Sequence, residues 1–519
     1  MPGMPFEELA RTSEQVAATR SRLAKRALLA AALGRAAPDE LELVVTYLSG
    51  TLRQRRTGVG WAALTDLPAP AGAPTLTVTE VDRAFEAVAG HAGSGSAARR
   101  SQAMAELFGR ATDLEQRLLR GLIFDEVRQG ALDALVQDGV AEAFGVPVAA
   151  VQRAAMLLGS TPAAARLARE GGLAALEAVR LRVGQPVRPM LAASAADPSA
   201  ALLRTGVPAV ADAKLDGIRV QVHRDGGTVR LYTRTLDDIT DRLPEVVDAV
   251  LALPTRDLVL DGEVVGLRPD GRPLPFQVIA SRTATSVDVA AGRDRTPLRL
   301  FAFDLLRLDG RDLLDEPLEA RVALLADLLP ADEVVPRRSV GSADELAAVF
   351  ADVVAQGYEG LVVKNPQAPY AAGRRDAAWV KVKPRHTFDL AVTAAEWGHG
   401  RREGWLSNLH LAAVHQDTGA LVMLGKTFKG LTDQLLQWQT EQLLAREVRR
   451  TRGTVHVDPP PVVEIACDGV QRSTRYPGGI ALRFARVLRY RDDKTVADVD
   501  TLATVLALNP LEEDAPGSG

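Results

Sequence analysis

Lysine is scarce in this chain: of 62 basic residues only eight are lysines, and four of those fall at 214, 364, 381 and 383. A chain that writes arginine so consistently keeps lysine where arginine cannot serve. Lys214 sits in ADAKLDGIRV between Asp212 and Asp216, just before a glycine. In AWVKVKP, residues two apart share one face of a strand, so Lys381 and Lys383 point one way and Val380 and Val382 the other. Two ammonium groups about 7 Å apart form either an anion site or a solvated strand face. Glu263 in LDGEVV and Glu359 in EGLVVK each stand beside a glycine at the edge of an apolar run. They read as strand-end charges facing water, or as hard oxygen ligands for a divalent metal over a phosphate. From Arg472 to Arg491 the chain carries six arginines and no acid, within the strand-like pattern of ALRFARVLRY. Arginine's planar fork suits phosphate oxygens. RQRRTGVG, 53 to 60, is a phosphate-backbone contact or a plain basic loop.

The elements that must hold these residues change character along the chain. Residues 1 to about 185 show apolar residues at three- and four-residue spacing, which predicts helices, with loops at LPAPAGAP (67–74) and AGHAGSGSAARR (89–100). Two prolines in GQPVRPMLA (184–192) mark a boundary. Beyond it GIRVQVHRDGGTVRLYTR reads as a hairpin turning at Asp225-Gly226-Gly227, and Lys214 falls in a short turn ahead of it. DLVLDGEVVG, LRLFAFDLL, EGLVVKN and AWVKVKP read as strands and ADELAAVFADVVAQG as a helix, an α+β pattern. From about 387 a second β-rich region begins, with a helix expected over LTDQLLQWQTEQLLAREVRR, ending near 506 before an acidic tail, 507–519, expected to be disordered.

At 519 residues the chain is too long for one core and predicts roughly three domains. A formal net charge of −4 excludes a globally basic nucleic-acid binder, so any such role rests on local charge. The single cysteine, Cys467, excludes an internal disulfide framework and fits a reducing cytosol. No signal-peptide pattern and no run of about 20 apolar residues is visible, which predicts a cytoplasmic protein with no membrane span.

Seven motifs occur in one order: KLDGIR at 214, TRTLDDIT at 233, LDGEVV at 260, LFAFDLL at 300, EGLVVK at 359, WVKVKP at 379 and LRFARVLRYRDDK at 482. In this order they resemble the nucleotidyltransferases that adenylate a lysine, specifically the ATP-dependent DNA ligases. The resemblance implies an all-α DNA-binding domain (1–185), an α+β adenylation domain (186–386) and a β-barrel OB-fold domain (387–506). It implies ATP and Mg²⁺ as cofactors, nicked duplex DNA as partner, a monomer, a location at the nucleoid when on DNA, and roles in repair, replication or recombination.

Lys214 would attack the α-phosphorus of ATP and carry AMP to a 5′-phosphate. An ordinary lysine, of pKa about 10.4, is neutral in only of the order of one molecule in a thousand at pH 7, and arginine is excluded as this nucleophile. Lys381, Lys383 and the metal would help lysine shed its proton. By the resemblance Asp212 accepts from the adenine amino group, Arg219 and Glu263 contact the ribose, and Glu263 and Glu359 neighbour the metal. Phe303 stacks on adenine with Val362 opposite, and Arg234 and Arg375 contact phosphates. Arg486, Asp493 and Lys494 are brought over the pyrophosphate in the first step. Asp212 stands where the family commonly has glutamate, Thr235 where it has asparagine, and Ala485 where it has proline. The alternative within the superfamily is an RNA ligase or a capping-type guanylyltransferase, which the long helical region disfavours.

Overall fold

The computed structural model describes residues 3–508 except 56, 65, 128, 131–132, 285–286, 372–376, 400–401 and 452. Among these residues, Phe6–Glu177 carries nine α-helices. Their apolar stripes, such as Leu29 and Leu33 or Val81, Phe85 and Val88, close on one core. Two helices open with capping boxes, Thr77 with Glu80 and Thr112 with Glu115, which satisfy the first free backbone N–H groups. The loop expected over 89–100 shrinks to 91–95, because helices Val78–Gly90 and Ser96–Arg110 reach in from both sides. Ala97, Ala98, Arg99 and Arg100 are strong helix formers and outweigh the neighbouring glycines.

Two five-stranded sheets follow. Their strands are β1 (Ala193–Ser194), β2 (Ala209–Lys214), β3 (Ile218–Asp225), β4 (Thr228–Thr233), β5 (Asp257–Gly266), β6 (Leu298–Leu308), β7 (Arg311–Asp312), β8 (Arg337–Val340), β9 (Gly360–Lys364) and β10 (Trp379–Val382). One sheet runs β1-β10-β9-β2-β8 and the other β4-β3-β5-β6-β7. Among these strands only β1 and β10 pair in parallel. Both sheets feed one core through residues such as Val220, Val222, Leu260, Leu361, Val363, Val380 and Val382. The β3–β4 hairpin turns at Gly226-Gly227, with Gly226 at φ 58°. Lys214 ends strand β2 and does not lie in a turn, because β9 pairs alongside as far as Lys214 opposite Gly360.

The remaining chain builds a seven-stranded sheet around Leu390, Leu409, Leu411, Val463 and Ile465, with a separate hairpin of Gly469–Arg472 and Ile480–Arg483. The helix here spans Asp433–Leu444 and stops short of Arg450. Glu447–Arg450 pairs instead with Thr454–Val457, so tertiary pairing overrides the helical pattern of REVRR. The tail from 509 lies outside the described residues. Among the described residues no helix is long and apolar enough to cross a membrane.

The PVRPMLA segment joins helices to sheets through a small core holding Val187, Met190, Tyr370 and Trp379. Its backbone is tied in by hydrogen bonds from Met190 N–H to the Tyr370 hydroxyl (3.0 Å) and from Val187 N–H to Gln221 (2.8 Å).

Candidate active site

Lys214 opens into a cleft of about 1380 Å³ lined from three parts of the chain: Thr51, Leu52, Gln54, Arg55 and Asp125 of the helical region, the two-sheet region, and Arg483-Phe484. Its ammonium contacts Glu359 and also lies 3.4 Å from the Leu215 carbonyl. The other oxygen of Glu359 contacts Lys383, so one carboxylate bridges two lysines. Burial works against the charge on Lys383, but Glu359 and then Asp468, at 3.1 Å, outweigh it and raise its pKa.

Two glycines make this approach possible. At Gly360 a Cβ would stand 2.2 Å from the Val382 carbonyl, and its φ of +140° is one that side chains rarely adopt. At Gly217 a Cβ would meet the Val264 carbonyl at 2.4 Å. The glycine beside each charged motif residue is therefore a condition of bringing the strands close enough for those charges to meet.

Glu263 lies opposite Arg219 in the β3–β5 register and lines the same cleft. Burial pushes its carboxyl up to about 7, against the pull of Lys214 and Arg219. Among the described residues no group of three or more His, Cys, Asp or Glu side chains could hold a metal by itself. Glu263 and Glu359 nonetheless offer two hard oxygen donors to one cleft, and Mg²⁺ typically takes one or two carboxylates and completes its shell with phosphate and water. The donor set fits a metal that arrives with a phosphate-bearing substrate.

An aromatic and charged cluster closes the other end. Phe303 and Trp379 meet edge to face, centroids 5.9 Å apart. The Lys364 ammonium lies 4.7 Å from the first ring centroid and 4.1 Å from the second, and pairs with Asp212 at 2.6 Å. Arg337 grips Asp212 with two bonds of 2.5 and 2.8 Å and donates to the Phe303 carbonyl at 2.8 Å. Burial alone would raise the Asp212 pKa, but Lys364 and Arg337 hold it below the usual range; burial pushes Lys364 down. A carboxylate can accept about four hydrogen bonds, so Asp212 retains room for a further donor. Arg219 is likewise engaged, bidentate to Asp261 (3.0 and 2.6 Å) and donating to the Met190 carbonyl at 2.7 Å.

Of the residues singled out in the sequence, the cleft brings together Asp212, Lys214, Arg219, Arg234, Glu263, Phe303, Glu359, Val362, Lys381 and Lys383. Arg234 is exposed at its rim. Arg375 lies outside the described residues. Arg486, Asp493 and Lys494 do not line the cleft: Arg486 is exposed, Asp493 pairs with Arg491 at 2.7 Å, and Lys494 with Asp389 at 2.5 Å. Arg483 and Phe484 face the cleft instead, and Arg483 pairs with Asp216 at 2.7 Å. That pair ties Asp216 to a residue beyond its own turn.

Sequence reasoning left Arg337, Asp261, Tyr370 and Arg483 out of the site. No motif marks Arg337, whereas the scarcity of lysine already pointed at Lys364. Arg55 of the basic loop reaches Asp237 at 2.6 Å, beside the TRTLDD stretch.

A family model described as "ATP dependent DNA ligase domain" matches residues 189–383, and a second, "ATP dependent DNA ligase C terminal region", matches 402–494. A protein of Nocardioides sp. named "Probable DNA ligase" is 59% identical over 503 residues, covering 95% of this chain and 97% of that one. One of the same name from Mycobacterium marinum is 54% identical over 508 residues, 96% and 99% of the two chains. The solved structure "Pmar-Lig_PreS3" is 19% identical and superposes with a TM-score of 0.64, covering 93% of this chain and 99% of that chain, which shows a shared fold.

Proposed function

The chain belongs to the ATP-dependent DNA ligases, and on that premise we propose that it seals nicks in duplex DNA with Lys214 as the nucleophile. One observation carries the assignment of residues: Lys214, Glu263, Glu359, Lys381 and Lys383 line a single cleft beside the Phe303–Trp379 pair. In the first step the neutral Lys214 amine forms a bond to the α-phosphorus of ATP and the bond to pyrophosphate breaks. Lys381 and Lys383, which line the same cleft, counter charge on the reacting phosphate. Glu263 and Glu359, together with phosphate oxygens, would hold Mg²⁺, which would supply further positive charge at the reacting phosphate.

The adenine fits against Phe303, with Val362 opposite and Asp212 accepting from its amino group. Arg234 and Arg375 serve the phosphates, and Arg219 borders the ribose. The enzyme-bound AMP then passes to the 5′-phosphate at a nick. The 3′-hydroxyl attacks that phosphate, forming the phosphodiester bond and releasing AMP.

We assign the helical region 1–185 to DNA binding, 186–386 to adenylation and 387–506 to an OB-fold domain. The last would turn Arg486, Asp493 and Lys494, which do not line the cleft in this arrangement, toward the pyrophosphate during the first step. We further assign a monomer acting in the cytoplasm at the nucleoid. The test is incubation with α-labelled ATP or GTP, then nicked DNA or nicked RNA, with Lys214→Arg as control. A covalent label from ATP, absent in Lys214→Arg and chased by nicked DNA, is the expected result. Absence of label, preference for GTP, or sealing of RNA alone would overturn the proposal.

A further inference from the structure

We propose that Phe428 is a DNA contact that lays an aromatic face on the nicked duplex beside Phe484. The inference rests on the DNA reading above and adds a residue that none of the sequence motifs contains. Phe428 is 55% exposed and Phe484 56%, among the few large apolar side chains left in water. Both are held outward by fixed backbone. The Thr427 hydroxyl donates to the Ala485 carbonyl at 2.6 Å, and Val487 N–H to the Lys429 carbonyl at 3.0 Å. The 427–430 loop is thus fastened to the stretch that carries Phe484.

Cations flank both rings. The Arg402 guanidinium lies 6.0 Å from the Phe428 centroid and donates to the Phe428 carbonyl at 2.7 Å. The Lys429 ammonium, on the residue next to Phe428, lies 5.2 Å from the Phe484 centroid. Rings flanked by cations suit nucleic acid better than an apolar protein surface, since the rings can pack on sugar and base edges while the cations take phosphates. Phe484 lines the cleft that holds Lys214, so a duplex seated at that cleft passes over this edge.

The experiment uses the full-length protein and a fluorescent nicked duplex ending in a 3′-dideoxynucleotide, which binds without being sealed. Anisotropy is read at several salt concentrations. Phe428→Ala is expected to weaken binding about fivefold or more at every salt, with an unchanged slope of log affinity against log salt, because no charge is removed. Lys429→Ala is expected to flatten that slope by about one phosphate contact. Labelling by ATP, which needs no DNA, checks that Phe428→Ala is folded. Unchanged affinity in a Phe428→Ala protein that still takes the label, or a loss confined to single-stranded DNA, would overturn the inference. If the wild-type protein fails to bind the nicked duplex, the DNA reading itself falls.

Discussion

Replacing Asp212 by alanine would remove more than a group facing the nucleotide. Asp212 is 2% exposed and is the counter-ion of Lys364, 1% exposed, and of Arg337, which holds both of its oxygens. Breaking a buried pair by deleting one partner destabilises by roughly 3–5 kcal/mol, since the charge left behind has neither water nor a partner. Lys364 can lessen its share by releasing a proton, as burial already lowers its pKa; Arg337 cannot. The low end, about 3 kcal/mol, therefore follows for Asp212→Ala.

In a cooperative unit of about 200 residues each kcal/mol shifts Tm by roughly 2–4 °C, so the transition of the two-sheet region should fall by about 6–12 °C. Calorimetry without nucleotide at pH 7 measures this directly. Asp212→Asn, which keeps the size and removes the charge, should lose a similar amount. A shift below about 1 °C in both variants would refute the counter-ion reasoning and leave Asp212 with a nucleotide role only.

Glu263 provides a pH test. Its carboxyl titrates at about 7 in the folded chain against an ordinary value of 4.5, so the folded state holds a proton that the unfolded state has lost. Its contribution to stability is present below the ordinary value, declines as pH rises through that window, and is gone above the folded pKa. Without metal, Glu263→Gln should gain stability relative to wild type as pH rises from 5 to 7, read as urea midpoints; a pH-independent difference would contradict the burial argument. Arg483→Ala tests the hold of the C-terminal region on the cleft. A half-buried pair worth about 1 kcal/mol predicts about fivefold faster proteolysis of the 383–385 connection, if cleavage follows opening of the region. An unchanged rate would show that the Arg483–Asp216 pair does not hold it closed.

The sequence determined what is local. The alternation of AWVKVKP placed Lys381 and Lys383 on one face with Val380 and Val382 in the core, because strand periodicity needs no knowledge of partners. Gly226-Gly227 set the β3–β4 hairpin for the same reason. The scarcity of lysine marked Lys214 and Lys364 before any fold was known. Only the tertiary structure decided which charges meet. Asp212 and Arg337 stand 125 positions apart and face each other through the β2–β8 register, which no local pattern encodes.

Pairing between strands also overrode the sequence reading at Lys214, drawn into β2 by β9, and at Glu447–Arg450, drawn out of a helix. The turn of Asp216 toward Arg483 depends on how two regions pack, as does the exposure of Phe428. Chain periodicity fixes which way a side chain points, while its partner is fixed by strand register and region packing.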